Sequence, residues 1–357
     1  MNRLEKIRSK LKDYEIDALL LISPVNRLYA SGFHSSDGVV LITNDSAYLF
    51  VDTRYYEAAG KTAAAGFAVE LIDNKNTYKV RVSEALGKHS CTCVGFEDAY
   101  MSCADYSKYS TEIVKLPMKP ASKLINELRR TKDSLEIENM IAAQRIAERA
   151  FDEVLGEIKP GMTEREIAAE LVYRMLRNGA ENISFDPIVV TGAKTSMPHG
   201  VPGDRKVQRG DFLTMDFGCI YKGYCSDMTR TVAIGGVSDE MKAVYNIVLK
   251  AQLAGIAAAK AGLKGREIDA TARKVIDEAG YGEYFGHGFG HGIGLEVHEE
   301  PNAGPVSEAL MEPGVVISAE PGIYLPGRFG VRIEDVIIIT ENGCENITTA
   351  KKELIIL

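Results

Sequence analysis

Lys159-Pro160-Gly161-Met162-Thr163-Glu164-Arg165-Glu166-Ile167 and Lys260-Ala261-Gly262-Leu263-Lys264-Gly265-Arg266-Glu267-Ile268 are two versions of one phrase, and the register between them holds as far as Gly179 and Gly280. In each copy a helix ends, a glycine stops it, and a second helix runs to another glycine, the residue that enters left-handed backbone without steric cost. Thr163 with Glu166 forms a capping box that opens the second helix of the first copy. The chain is therefore expected to contain a duplicated unit of two helices, a strand and a hairpin.

Carried forward at the same offset, Asp216 falls near Glu320 and Asp227 near Glu334, so each half contributes two acids at nearly equivalent places. Phe212-Leu213-Thr214-Met215-Asp216-Phe217-Gly218 and Ser226-Asp227-Met228-Thr229-Arg230-Thr231-Val232 read as strands around the turn-prone Tyr221-Lys222-Gly223. A hairpin centred between Tyr221 and Lys222 sets Asp216 directly opposite Asp227, with Cβ atoms about 5 Å apart. In the second half, Val315 to Glu320 and Val331 to Val336 flank Pro321-Gly322 and Pro326-Gly327, a longer hairpin. Like charges facing one another destabilise a hairpin. A metal removes that penalty, and four carboxylates with His291 form a set able to bind two divalent ions.

With 357 residues the chain is long enough for two domains. Its 45% hydrophobic and 26% charged residues are ordinary for a globular protein, and it has no apolar run of roughly 18 residues to make a transmembrane helix. Residues 1 to 120 balance fifteen basic against fifteen acidic side chains, which leaves the whole net charge of −8 with the remainder. That balance argues against nucleic acid as a partner. Met1 to Tyr14 alternates charged and apolar residues and lacks the apolar core of a signal peptide, so cytoplasm is expected and a membrane is not. Cys91, Cys93, Cys103, Cys219, Cys225 and Cys344 show no C-x-x-C pair or zinc-ribbon spacing and read as reduced structural thiols.

The first segment reads as a compact α/β domain. Leu4 to Leu11 has a helical pattern, Ala18 to Ile22 a short buried strand, and Val39 to Thr43 with Ala47 to Val51 brackets the turn Asn44-Asp45-Ser46. Pro117 and Pro120 mark the expected boundary. From Leu124 to Leu155 an amphipathic pattern predicts one long helix or two consecutive ones, stopped by Pro160-Gly161.

A single strand carboxylate usually faces solvent. Asp216, however, sits in an apolar run, Glu320 follows Ser318-Ala319, and Glu334 precedes Val336 to Ile339, so half-buried placement is expected, and buried carboxylates need partners. Phe285 to Gly294 interleaves His287 and His291 with glycines, which permits close backbone approach to a ligand. No dinucleotide or P-loop register can be drawn through it, and no zincin H-E-x-x-H occurs. His34 and His89 read as structural.

Met215 to Gly218, Ser226 to Thr231, Gly290 to Glu299, Glu320 to Tyr324 and Arg332 to Asp335 resemble the five signature stretches of the pita-bread metallopeptidases, in the order and spacing of the branch that holds aminopeptidase P and prolidase. Asn26 to Phe33 and Asp52 to Tyr55 resemble the creatinase-type N-terminal domain of the same enzymes. The resemblance implies an α/β creatinase-like domain over residues 1–120 and an α+β pita-bread catalytic domain over residues 121–357. It implies that Asp216, Asp227, His291, Glu320 and Glu334 ligate two ions, with Asp227 and Glu334 bridging. Oxygen-rich ligation with one imidazole suits Mn²⁺, and less clearly Co²⁺ or Zn²⁺. A hydroxide held between the ions is the implied nucleophile, with Glu320 relaying its proton.

By the same resemblance His199 binds substrate, His298 contacts the scissile carbonyl and the developing oxyanion, and His287 lines the pocket for proline and leaving group. Tyr324 and Arg332 correspond to partners that orient the metal-bound carboxylates. The implied substrates are short proline-containing peptides cut after the first residue, and relatives of this kind are often homodimers whose N-terminal domain helps wall a neighbour's site. Prolidases commonly carry an arginine shortly after the His-Glu pair to clamp a dipeptide's carboxylate, whereas this chain has Asn302, which cannot supply a bidentate cation. That departure favours an Xaa-Pro aminopeptidase acting on longer peptides, with Xaa-Pro dipeptidase as the alternative and Arg328 as a substitute cation. Methionine-aminopeptidase-like activity is a further alternative, although a methionine aminopeptidase normally lacks the N-terminal domain. Creatine amidinohydrolase and a non-catalytic peptide-binding protein on this fold would not retain all five ligands.

Overall fold

A computed structural model describes residues 2 to 357, which form two compact units, Met1–Arg129 and Arg130–Leu357. The expected boundary after Pro120 moves to Arg129. Met118–Pro120 is an edge strand of the first unit's sheet, a place where proline's missing N–H costs no ladder bond. The helix Ser122–Arg130 then folds back on that unit: Leu124 and Ile125 are fully buried, Arg129 Nη1 donates to Asn26 Oδ1 at 2.9 Å, and the Tyr29 hydroxyl donates to the Leu128 carbonyl at 3.0 Å.

The first unit is a six-stranded mixed sheet in the order Phe67–Ile72, Ala47–Asp52, Val39–Thr43, Ala18–Leu21, Val94–Phe96, Met118–Pro120. Ala18 to Leu21 is buried at every position, as befits a strand covered on both faces. The helix Arg3–Leu11 is capped by Asn2, and His89 is held between the Tyr48 hydroxyl and Asp45, each at 2.7 Å, a structural role.

The second unit carries the duplication openly. Helices Ser134–Leu155 and Glu164–Arg177 correspond to Asp239–Ala258 and Gly265–Glu278. Gly161 and Gly262 take φ of 99° and 84°, and Gly179 and Gly280 take 107° and 83°. Backbone bonds repeat as well: Gly161 N–H donates to Val207 and Gly262 N–H to Met311, both at 2.9 Å, and Val207 and Met311 return N–H bonds to Met162 and Leu263 at 2.8 Å. Each half has its own apolar core. Phe151, Leu171, Leu213, Met215 and Phe217 share one, and Val248, Ile276, Ile317, Val331 and Ile337 share the other.

The first hairpin differs from expectation by two residues. Its turn is Lys222-Gly223, with φ of 46° and 81°, the two-residue form whose twist matches the strands. Tyr221 therefore pairs with Tyr224, and Asp216 faces Thr229 rather than Asp227. A slip of two preserves the face, since side chains alternate with period two, and Asp227 remains a diagonal neighbour of Asp216. At Gly218 the strands approach so closely that a Cβ would sit 1.9 Å from the Ser226 carbonyl oxygen, which leaves no room for a side chain opposite Asp227. In the second hairpin Ala319 pairs with Asp335 and Gly322 with Arg332, a continuous register that sets Glu320 opposite Glu334.

Behind the hairpins lies a buried charge cluster. Arg230 Nη2 and Asp335 Oδ1 meet at 2.8 Å with side chains 1% and 0% exposed, while Lys352 and Gln252 reach the other Asp335 oxygen at 2.5 and 2.9 Å. Asp335 stands directly after Glu334, so this cluster fixes the strand that delivers a site residue. Asp335→Ala strands two cations and is expected to cost about 3–5 kcal/mol, read as a lower denaturant midpoint at unchanged slope; a loss under about 1 kcal/mol would contradict this account.

Candidate metal and active site

Strand alternation builds the site. In Phe212–Phe217 the side chains of Leu213, Met215 and Phe217 enter the helix-covered core, leaving Thr214 and Asp216 on the opposite face, where Thr214 meets Thr231 at 3.0 Å. Asp216, Asp227, His291, Glu320 and Glu334 all line one cavity of about 670 Å³ together with His199, His287, His298, Tyr324 and Arg332. Asp227, His291 and Glu334 offer ligand atoms that lie within 4.8 Å of one another. Glu320 Oε1 stands 3.3 Å and Asp227 Oδ2 3.7 Å from His291 Nε2.

Asp216 is turned by Arg332, whose Nη2 donates to Oδ2 at 2.6 Å and leaves Oδ1 buried without a hydrogen bond. Asp227 Oδ1 is likewise buried and unpartnered. Arg332 also donates from Nε to Thr229 Oγ1 at 3.0 Å and from Nη1 to the Tyr324 hydroxyl at 2.8 Å. The Tyr324 hydroxyl lies 2.9 Å from His287 Nε2, and burial pushes its pKa up to about 12, so it stays protonated. Tyr324 and Arg332 thus form a hydrogen-bonded chain from His287 to Asp216.

The electrostatics call for a cation. Burial raises the Asp227 carboxyl well above the ordinary range, reinforced by Glu334, Asp216 and Glu320. Glu334 is raised in the same way by burial and by Glu320 and Asp216, against the Thr229 hydroxyl that donates to it at 2.7 Å. Burial also raises Glu320, countered by His287 and Arg332. His291 Nδ1 faces the Gly292 carbonyl at 3.1 Å, so it carries the proton, and Nε2 turns a lone pair toward Asp227 and Glu320. Lone pairs and unpartnered carboxylate oxygens converging on one buried space fit divalent metal, and oxygen donors with a single imidazole are the donor set expected of such a site.

Two contributors went unnoticed in the sequence. Thr229 holds both Glu334 and Arg332, and Ser318 accepts from the His291 backbone N–H at 3.0 Å while donating to Glu320 at 3.1 Å. Each lies two residues from an acid, Asp227 or Glu320, on the same strand face, and period-two reading could have found both. The glycines flanking His291 also serve differently from expectation: a Cβ at Gly290 would meet the Ser318 carbonyl oxygen at 1.9 Å, and one at Gly292 the Glu299 carbonyl oxygen at 2.5 Å. They admit neighbouring strands rather than a ligand. His199 and His298 are exposed at the cavity wall, with the His298 ring 4.3 Å from that of His291.

The family model described as Metallopeptidase family M24 matches residues 138–341, and that of the Creatinase/Prolidase N-terminal domain matches residues 3–131. The chain belongs to metallopeptidase family M24. It is 44% identical to a solved structure titled Xaa-Pro dipeptidase from Bacillus anthracis, with a TM-score of 0.95 and 99% of each chain covered. A solved X-Pro aminopeptidase from Thermotoga maritima is 38% identical, with a TM-score of 0.92 and 100% of each chain covered. An Xaa-Pro dipeptidase of Pyrococcus horikoshii is 37% identical over 99% of this chain and 98% of its own length. This M24 chain therefore combines a creatinase-type N-terminal domain with the pita-bread catalytic fold and is a metallopeptidase; among its described residues no helix is long and apolar enough to cross a membrane.

A metal-free M24 site with raised carboxyl pKa values binds more protons folded than unfolded, so stability falls as pH rises through the ordinary carboxylate range and above it. His287, His291 and His298, whose pKa burial lowers from 6.5, oppose this slope until they are neutral in both states, so the melting temperature in chelator is expected to drop from about pH 7 to about pH 8, and added Mn²⁺ to raise it most at the higher pH. A metal-free melting temperature that climbs across that range would refute the buried-charge account.

Proposed function

We propose that this chain is an Xaa-Pro dipeptidase that uses two divalent ions, Mn²⁺ suiting the donor set best. The observation that carries the reading is full-length similarity, at 37–44% identity, to proteins named Xaa-Pro dipeptidase. It displaces the preference for an aminopeptidase that Asn302 had suggested. Asp216, Asp227, His291, Glu320 and Glu334 would hold the ions. When bound, such ions lower the pKa of water and polarise the scissile carbonyl.

The chain's own residues would do the rest. Glu320 takes the attacking water's proton and returns it to the proline nitrogen as the amide breaks. His298 donates to the carbonyl oxygen as negative charge develops there. His287, tied to Tyr324 and to the Gly288 carbonyl, shapes the wall against proline, and His199 meets substrate from the opposite strand connection. An Xaa-Pro bond is a tertiary amide without N–H, which a peptidase gripping that N–H cannot use. A cytoplasmic homodimer is the assembly and compartment that accompany this proposal.

One observation favours the second reading, an Xaa-Pro aminopeptidase. Asn302 lines the cavity, and among its described lining residues the only lysine or arginine is Arg332, already bound to Asp216. Arg328 does not line the cavity and pairs with Glu240 at 2.5 Å. Mn²⁺-loaded protein is expected to cleave Xaa-Pro dipeptides with higher kcat/KM than Xaa-Pro-Yaa tripeptides, and Asp227→Ala to lose both bound metal and activity. Cleavage confined to tripeptides and longer chains would return the aminopeptidase reading to first place.

A further inference from the structure

Directly behind the His298 segment lies a second buried ion pair. Lys132 Nζ stands 3.2 Å from Glu299 Oε2, with side chains 1% and 5% exposed. Glu299 is the next residue after His298 and opens the strand Glu299–Ala303, where it pairs with Gly292, the neighbour of His291. Its other oxygen accepts the Glu296 N–H at 3.0 Å, and the Glu296 carbonyl accepts the Gly294 N–H at 3.0 Å, which closes the loop from 294 to 299 on itself. A Cβ on Gly294 would lie 2.7 Å from Glu299 Oε2 and 2.9 Å from Lys132 Cε, so glycine is needed for the pair to seat. Lys132 is itself fixed, its N–H donating to the Gly314 carbonyl at 2.8 Å.

A buried ion pair adds little net stability over apolar groups of the same volume, because desolvation offsets its attraction. What it does impose is direction. His298 lines the cavity and Glu299, bonded directly to it, does not, so anchoring the Glu299 carboxylate against Lys132 at the start of the strand fixes the backbone from which the His298 ring projects into the cavity. We propose that Lys132 and Glu299 are positioning residues that set the imidazole of His298 against the scissile carbonyl. The inference rests on the role given to His298 in the proposed function. Displacing a transition-state donor by about 1 Å costs on the order of 10²-fold in rate, and a contact made chiefly in the transition state lowers kcat with little change in KM.

The test is a double-mutant cycle on the Mn²⁺-loaded full chain, with an Xaa-Pro dipeptide and the corresponding tripeptide as substrates. Lys132→Met is expected to lower kcat about 10²-fold at nearly constant KM, with metal content by elemental analysis near that of the parent; because the change strands the buried Glu299 carboxylate, the melting temperature falls, and rates are compared well below it. Glu299→Gln, which keeps shape and loses charge, is expected to fall in the same direction by a smaller factor. In a His298→Ala background, Lys132→Met is expected to add less than about threefold, since the group it positions is gone. Full multiplicative losses in that background, or activity falling in step with metal content, would overturn the inference. Should Lys132→Met fail to fold, Glu299→Gln in the same cycle decides it by the same criterion. An impaired His298→Ala beside undiminished Lys132→Met and Glu299→Gln sinks the positioning role alone, whereas a fully active His298→Ala removes the assignment of His298 and the inference with it.

Discussion

Asp216, Asp227, Glu320 and Glu334 share one buried space with a single guanidinium, that of Arg332. Arg332 engages Asp216, and burial together with neighbouring acids, Asp216 among them, still raises the pKa of Asp227, Glu334 and Glu320. Charges so placed require either protons or a cation, for burial without compensation costs far more than a fold's margin of stability. Much of the second unit can be understood as the scaffold that keeps those acids together in spite of that cost. Its two hairpins come from separate halves, each with its own helix pair, and Phe212 and Ala233 of the first hairpin also pack into the second core, so repulsion at the centre works against two interlocked hydrophobic assemblies.

The hairpins are equivalent in origin but not in register. Glu320 faces Glu334 directly, while Asp216 faces Thr229 and meets Asp227 only on the diagonal. The offset has a use. Thr229, in the place opposite Asp216, donates its hydroxyl to Glu334 and accepts from Arg332, so the residue that separates two acids of one hairpin ties that hairpin to an acid of the other. The Glu334 N–H also donates to the Thr229 carbonyl at 3.1 Å, so hydroxyl and backbone together let both halves define the same space.

The duplicated helices were legible because caps and glycine stops are local chemistry: Thr163 with Glu166, and the glycines at 161, 179, 262 and 280, behave as their residue types dictate. All ten residues assigned to the site line the same cavity; Asp216 and Asp227 stay together because strand alternation tolerates an error of two in register without changing face, while the histidines of the loops were named by family resemblance rather than by periodicity. The register itself was not legible. Whether the turn is centred on Tyr221-Lys222 or Lys222-Gly223 depends on which residues accept positive φ, and Lys222, a residue that rarely does so, is one of them. The domain boundary was misplaced because proline at a sheet edge and proline in a linker look alike in sequence. Substrate length is harder still: Asn302 tells what is missing, while similarity along the whole chain weighs toward dipeptides.

The ion pairs of the chain differ in what their charge accomplishes. Surface pairs such as Lys61 with Glu57 or Lys274 with Glu278 are exposed and contribute little. Three others are almost wholly enclosed: Arg332 with Asp216, Arg230 with Asp335, and Lys132 with Glu299. Apolar side chains could fill those volumes at no loss of stability. They could not, however, fix which way a neighbouring group points. Asp216 is itself a site residue, Asp335 follows Glu334, and Glu299 follows His298, so each enclosed pair lies on or beside a group that must be aimed into the cavity. Glu334 and His298 stand just outside the regular strands, each bonded to the first residue of one, Asp335 and Glu299, so a charge locked on that first residue fixes the backbone from which its neighbour projects.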